Sequence, residues 1–182
     1  MTTPTRWVVL TGPPSSGKTT LLNLFANAGE RTSADSTRQL ISDVVKSGRT
    51  ADEFRFADDF QPRVLDAMAA AEARLDPDEL TVLEYALPCN IAFHRTEGRP
   101  LTPGLADAAV RYRYADVFIL DPVGWQSDAE RVEGEEYQAH VHAHLFDVYR
   151  ELGYDPVKVP AMSAAERFDL VRTTRSAQPR GS

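Results

Sequence analysis

Three features of the sequence predict an α/β protein with a parallel β-sheet covered by helices on both faces. Compact apolar runs of strand length recur as "RWVVLTG", "LTVLEYALP", "ADVFILDP" and "DPVKVP". The segments between them carry apolar residues at helical spacing. The first strand passes into the first helix through a Gly/Ser-rich turn, "GPPSSGKTT", at residues 12–20. Strands that alternate with helices give parallel neighbours, because a parallel pair needs a long crossover.

The elements follow in order. Strand one is expected at about 6–11 and helix one at about 17–28, where "KTTLLNLFANAG" ends in a helix-stopping glycine. "ERTSADSTR" opens with a short second strand. Residues 36–48 read as a helix with Leu40, Ile41, Val44 and Val45 on one face. Thr50 is placed to cap the next segment. Residues 51–75 form one long helical pattern, bent at Pro62. "LTVLEYALP" is a buried strand ending near Glu84. Residues 88–105, with three prolines and two glycines, read as irregular. "ADVFILDP" is a core strand, residues 126–151 a helix, and "DPVKVP" a short last strand. Ser163 and Glu166 form a capping box for the closing helix. The expected unit is a single domain over 1–172, with a disordered tail at 173–182.

The turn matches GxxxxGK[ST] at Gly12, Gly17, Lys18 and Thr19. Strand, loop, helix is the setting in which that pattern binds phosphate. Its physics is a helix N-terminus with backbone N–H groups aimed at an anion. Pro13 and Pro14 have no N–H to give. They sit before the cup, which is expected to form from Ser15, Ser16, Gly17, Lys18, Thr19 and Thr20, so their missing donors cost little. Lys18 is expected on the β- and γ-phosphates and the Thr19 hydroxyl on Mg²⁺. A nucleotide with Mg²⁺ is therefore the expected ligand of the loop.

In such a sheet, ligands bind beyond the C-terminal strand ends. That places Gly12–Thr19, Asp35, Glu84 and Asp121–Pro122 on one rim. No NKxD motif is present to read guanine. "TVLEYA" offers one acid where a ring-forming motor ATPase needs a pair, and 182 residues leave no room for its lid domain. A small-molecule kinase and a compact ATPase switch both remain.

The sequence resembles the small AAA-type ATPase domain family related to ribosylnicotinamide kinases and other nucleoside-kinase-like phosphotransferases. The likeness covers roughly residues 6 to 172. It rests on "TGPPSSGKTTLLNLFANAG", "ADSTRQLI", "VLEYALP", "ADVFILDP", "SDAERVE" and "YRELGYDPVKVP…SAAERFDLV" in that order. It implies a P-loop kinase-like fold, ATP, Mg²⁺, and phosphoryl transfer or hydrolysis. Relatives commonly read Asp-Arg-Gly-Leu-Pro where this chain has Glu84-Tyr85-Ala86-Leu87-Pro88. That departure implies a different substrate or a reduced transfer capacity.

Four residues are the catalytic candidates: Lys18, Asp35, Glu84 and Arg131. Asp35 fits a base or orienter for an acceptor hydroxyl, and equally an N-cap of the helix from Ser36. Arg38, one turn on, fits a substrate contact or a solvated surface position. Glu84 fits a ligand of Mg²⁺ through water or a contact to the acceptor, and needs a partner because it is buried. The metal set is then Thr19 and Glu84, and the acceptor set is Asp35, Arg38 and Glu84. Arg131 fits a lid arginine over the transferring phosphoryl group, with a charged helix face as its alternative, and Asp128 fits an orienter. Trp125 fits stacking on adenine or cover for apolar surface. "HVHAH" reads as a helical face, since no cysteine or HExxH completes a zinc set.

The chain is 42% hydrophobic and 26% charged, with a net charge of −7 and a pI near 5.1. That acidity argues against nucleic acid and anionic membranes as partners. One cysteine, Cys89, leaves no intrachain disulfide. No signal peptide or membrane-spanning run is visible, and the cytoplasm is the expected setting. The expected partners are ATP and a small polar metabolite, with a homodimer left open. Transfer of the γ-phosphate to a metabolite hydroxyl is the leading reading. A regulatory ATPase switch acting on a partner protein is the alternative.

Overall fold

The computed structural model describes residues 1–123 and 134–176. Seven strands and eight helices occur among them: β1 Thr3–Pro4, β2 Trp7–Thr11, α1 Lys18–Asn27, β3 Arg31–Ser33, α2 Ser36–Lys46, α3 Ala51–Arg55, α4 Phe60–Ala73, β4 Thr81–Glu84, α5 Leu87–Thr96, α6 Leu105–Ala109, β5 Tyr112–Arg113, β6 Asp116–Leu120, α7 Glu135–Glu151, β7 Val157–Val159 and α8 Ala164–Thr174. The main sheet has the order β3-β4-β2-β6-β7, and every pairing in it is parallel. The parallel sheet flanked by helices expected from the sequence is what the chain forms.

β2 is the central strand and is buried along its whole length. Its period-2 alternation divides the core. Trp7 and Val9 face a layer that includes Val64, Leu87, Leu105 and Leu145 from α4 to α7. Val8 and Leu10 face Leu21, Leu22 and Phe25 of α1 and Val171 of α8. Burial on both faces explains why the strand sequences are continuous apolar runs rather than alternating ones.

Several boundaries differ from expectation. The helical pattern over 51–75 is two helices, and the break at 56–59 comes before Pro62 rather than at it. Pro62 lies in the first turn of α4, where a missing N–H costs nothing. α3 opens on a capping box in which Glu53 N donates to Thr50 Oγ1 at 3.2 Å and Thr50 N to Glu53 Oε2 at 2.8 Å. The stretch 88–105 is not irregular: α5 fills most of its first half, and α6 begins at its end. α5 is buried at Leu87, Pro88, Cys89, Asn90, Ile91, Ala92 and His94. The first six residues of α5 are all buried and carry no amphipathic stripe to read, and Pro88 sits in its first turn, where it is tolerated. On α2, Val44 is buried while Val45 is 46% exposed. The fold also continues past 172: α8 runs to Thr174, and Arg175, 3% exposed, pairs with Glu30 at 2.5 Å.

Candidate active site

β2 ends at Thr11, and the loop from Gly12 delivers the chain to α1. Gly12 has φ +153°, and a Cβ there would meet Leu120 O and Ser16 Oγ at 2.7 Å each. Only glycine lets the loop lie this close to β6. Gly17 is the N-cap of α1 in the left-handed region, φ 82°. Ser15 shares that region at φ 63°, an unusual state for a residue with a side chain.

Lys18 is 6% exposed. Its Nζ donates to Gly12 O at 3.1 Å, to Pro13 O at 2.8 Å and to Ser16 Oγ at 3.2 Å. The prolines thus take part through a carbonyl: Pro13 O accepts from Lys18 and also from Ser16 N at 3.3 Å. Burial pulls the Lys18 ammonium down to about 8, while the carboxylates of Glu84 and Asp35 oppose that shift. Both acids therefore act on the same ammonium.

The Thr19 hydroxyl donates to Glu84 Oε1 at 2.7 Å. Glu84, at the end of β4, is 4% exposed, and this bond is the partner its burial required. Arg38 reaches the same hydroxyl from α2, Nη1 to Thr19 Oγ1 at 3.4 Å. Asp35 is the N-cap of α2, its Oδ1 accepting from Thr37 N at 2.9 Å. The cap uses one oxygen. Lys18, Thr19, Asp35, Arg38 and Glu84 lie together around the loop. Thr20 is exposed on the first turn of α1. Arg131, Asp128 and Trp125 lie outside the described residues. His144 bonds through Nδ1 to Thr96 Oγ1 at 2.9 Å.

A paired hydroxyl and carboxylate are the hard oxygen donors that suit Mg²⁺. The glycine-lined loop at the N-terminus of α1, with a buried lysine behind it, suits a polyphosphate. The residues present therefore fit both groups.

Two contributors were not legible in the sequence. Tyr85 adopts φ 63°. Its hydroxyl donates to Gly12 O at 3.3 Å, its ring centroid lies 4.7 Å from Lys18 Nζ, and Phe93 packs on its other side at 5.9 Å. Such a backbone state costs on the order of 1–3 kcal/mol and persists only where the surroundings enforce it. Arg167 of α8 is 2% exposed. Its Nε donates to Pro160 O at 2.9 Å, Nη1 to Ser16 O at 2.5 Å and Nη2 to Asp121 O at 2.7 Å. The Asp121 side chain turns to His142 Nε2 at 3.0 Å and Lys158 Nζ at 3.2 Å. Burial lowers the His142 pKa, with Asp121 opposing.

Comparison with known proteins agrees with this geometry. No curated protein matches the chain. Among solved structures, a thymidylate kinase from Ehrlichia chaffeensis superposes with a TM-score of 0.65 at 13% identity, covering 93% of this chain and 97% of that one. NadR protein in complex with NR gives a TM-score of 0.73 at 16% identity, covering 98% of this chain. This chain spans 53% of that NadR protein. A deoxyadenosine kinase from M. mycoides gives 0.62 at 13% identity, covering 92% and 96%. These likenesses establish a P-loop kinase-like fold. An AAA domain family model matches residues 7–167, a span that takes in the phosphate loop, Asp35, Glu84 and Arg167, and the chain belongs to that AAA domain family.

Proposed function

We propose that this protein binds ATP with Mg²⁺ and transfers the γ-phosphate to a hydroxyl of a small polar metabolite. The observation that carries the reading is the convergence of Asp35, Arg38 and Glu84 on Lys18 and Thr19. The second acid and the arginine that face them from α2 are groups that orient an acceptor hydroxyl and offset phosphoryl charge. A hydrolytic ATPase uses like groups on water, so dependence of turnover on an added metabolite separates the two readings.

The roles follow from the chemistry of each group. The loop N–H groups and Lys18 hold the phosphates. Thr19 and Glu84 hold the metal, which offsets charge on the β- and γ-phosphates. Arg38, exposed on α2, draws an anionic or polar acceptor toward the rim. Asp35 keeps one carboxylate oxygen beyond its cap bond, and that oxygen orients the acceptor hydroxyl and takes its proton. The solved structures named above make nucleosides and nucleotides the first acceptors to test. No helix among the described residues is long and apolar enough to cross a membrane.

The test is a metabolite screen that follows ATP consumption, repeated with Asp35→Asn. Asparagine caps a helix about as well as aspartate, so folding and ATP affinity should hold. Transfer should fall by roughly a hundredfold, the usual share of a positioned base. If Asp35→Asn leaves turnover intact, Asp35 is a cap only, and the regulatory ATPase switch becomes the better account.

A further inference from the structure

Arg167 joins three segments of the catalytic rim that are far apart in the chain. Its three kinds of nitrogen each take a different carbonyl: Pro160 in the β7–α8 loop, Asp121 at the exit of β6, and Ser16 in the phosphate loop. Among the described residues no carboxylate pairs with it within ion-pair distance. Among the described residues this side chain, on a residue 2% exposed, is thus bonded by three carbonyl oxygens, with the Asp121 carboxylate attracting it from beyond ion-pair distance. Burial lowers its pKa from the usual guanidinium value, against the pull of Asp121. A buried cation without an ion-pair partner is costly, and its location beside the phosphate loop requires an explanation.

Peptide geometry supplies one. In a trans peptide the C=O of one residue and the N–H of the next point in opposite directions. The chain has no cis peptide bonds. Arg167 holds Ser16 O from the α8 side, so the Gly17 N–H of the same trans peptide is directed away from the guanidinium. Gly17 presents no side chain to the guanidinium: a Cβ there would lie 3.5 Å from Nη1.

We propose that Arg167 is a positioning residue that aims the Gly17 N–H at the bound polyphosphate and supplies a fixed positive charge behind it. The inference rests on the reading that this loop binds ATP. It adds a dependence of phosphate affinity on a helix 151 residues away in sequence. Lysine cannot replace it, because an ammonium is a point donor and cannot span three diverging carbonyls.

The experiment titrates wild type, Arg167→Lys and Arg167→Gln with ATP·Mg²⁺ and with inorganic tripolyphosphate by calorimetry, beside a melting curve for each. Arg175→Lys is the control, since it perturbs a buried arginine that follows the same helix but pairs with Glu30. Both Arg167 variants should lose at least tenfold in affinity for ATP and for tripolyphosphate alike, because the lost contact is to phosphate. Arg175→Lys should lower the melting temperature and leave both affinities unchanged. An Arg167 variant that melts lower but binds tripolyphosphate as wild type does assigns Arg167 a purely structural role and overturns the proposal. Wild type that binds neither ligand overturns the ATP reading instead. A measurement on the unmodified chain completes the test: the Gly17 amide should be rigid by ¹⁵N relaxation, with an order parameter of about 0.85, and a value below about 0.6 refutes a fixed peptide.

Discussion

Replacing Glu72 with glutamine should remove a pH dependence from the stability of this protein. Glu72 projects from α4 into the core at 3% exposure. Its Oε1 accepts from Leu87 N at 3.0 Å, at the start of α5, and both its oxygens accept from the Tyr114 hydroxyl at 3.0 Å. Burial raises its pKa from 4.5 to about 7, with the two hydrogen-bond partners opposing. The folded chain therefore holds this proton more tightly than the unfolded one. Its stabilising effect is complete below the unfolded pKa, is lost as pH rises toward 7, and is absent above it. At about 1.4 kcal/mol per pKa unit the whole effect is about 3 kcal/mol. Roughly 2.5 kcal/mol of that falls between pH 5 and pH 8. Glutamine keeps an acceptor for Leu87 N and for Tyr114 but has nothing to titrate. Urea unfolding of both chains across pH 5–8 should show the wild type losing stability relative to Glu72→Gln by that amount. A constant offset between the two curves would refute the reasoning, because it would mean that Glu72 does not hold its proton in the fold.

Two further substitutions test the loop. Lys18→Ala removes the charge on the phosphates and three bonds to the loop, so nucleotide affinity or turnover should drop at least tenfold. Unchanged turnover with a normal melting curve would overturn the loop assignment. Gly12→Ala forces a methyl to 2.7 Å from the Leu120 carbonyl. It should cost about 2 kcal/mol or more and weaken ATP binding in a fluorescence titration.

The phosphate loop and the order of strands were legible because their chemistry is written in local residue choices. Gly12, Gly17, Lys18 and Thr19 are each needed at a fixed spacing. Asp35 was legible as two roles, and its cap is directly visible in the bond from Thr37. α5 was not legible, because its first six residues are all buried and show no periodicity, and its proline reads as a breaker. Arg167 was invisible for a different reason. Its partners are backbone carbonyls, which every residue has, so no side-chain signal marks them. Tyr85 carries a left-handed backbone that the preference of tyrosine does not signal.

The placement of β2 at the centre of the sheet has a consequence for how the chain is made. Val8 pairs with Val82 on one side and Asp116 on the other, so the first strand of the main sheet to leave the ribosome waits longest for its second neighbour. At about 5–20 residues per second, the interval between Val8 and Asp116 is on the order of 5–20 s. Throughout it, "WVVLT" is an apolar strand with an open edge, the kind of segment that chaperones shield. Moving β2 behind β4 by circular permutation would shorten that wait without altering a single contact in the finished sheet.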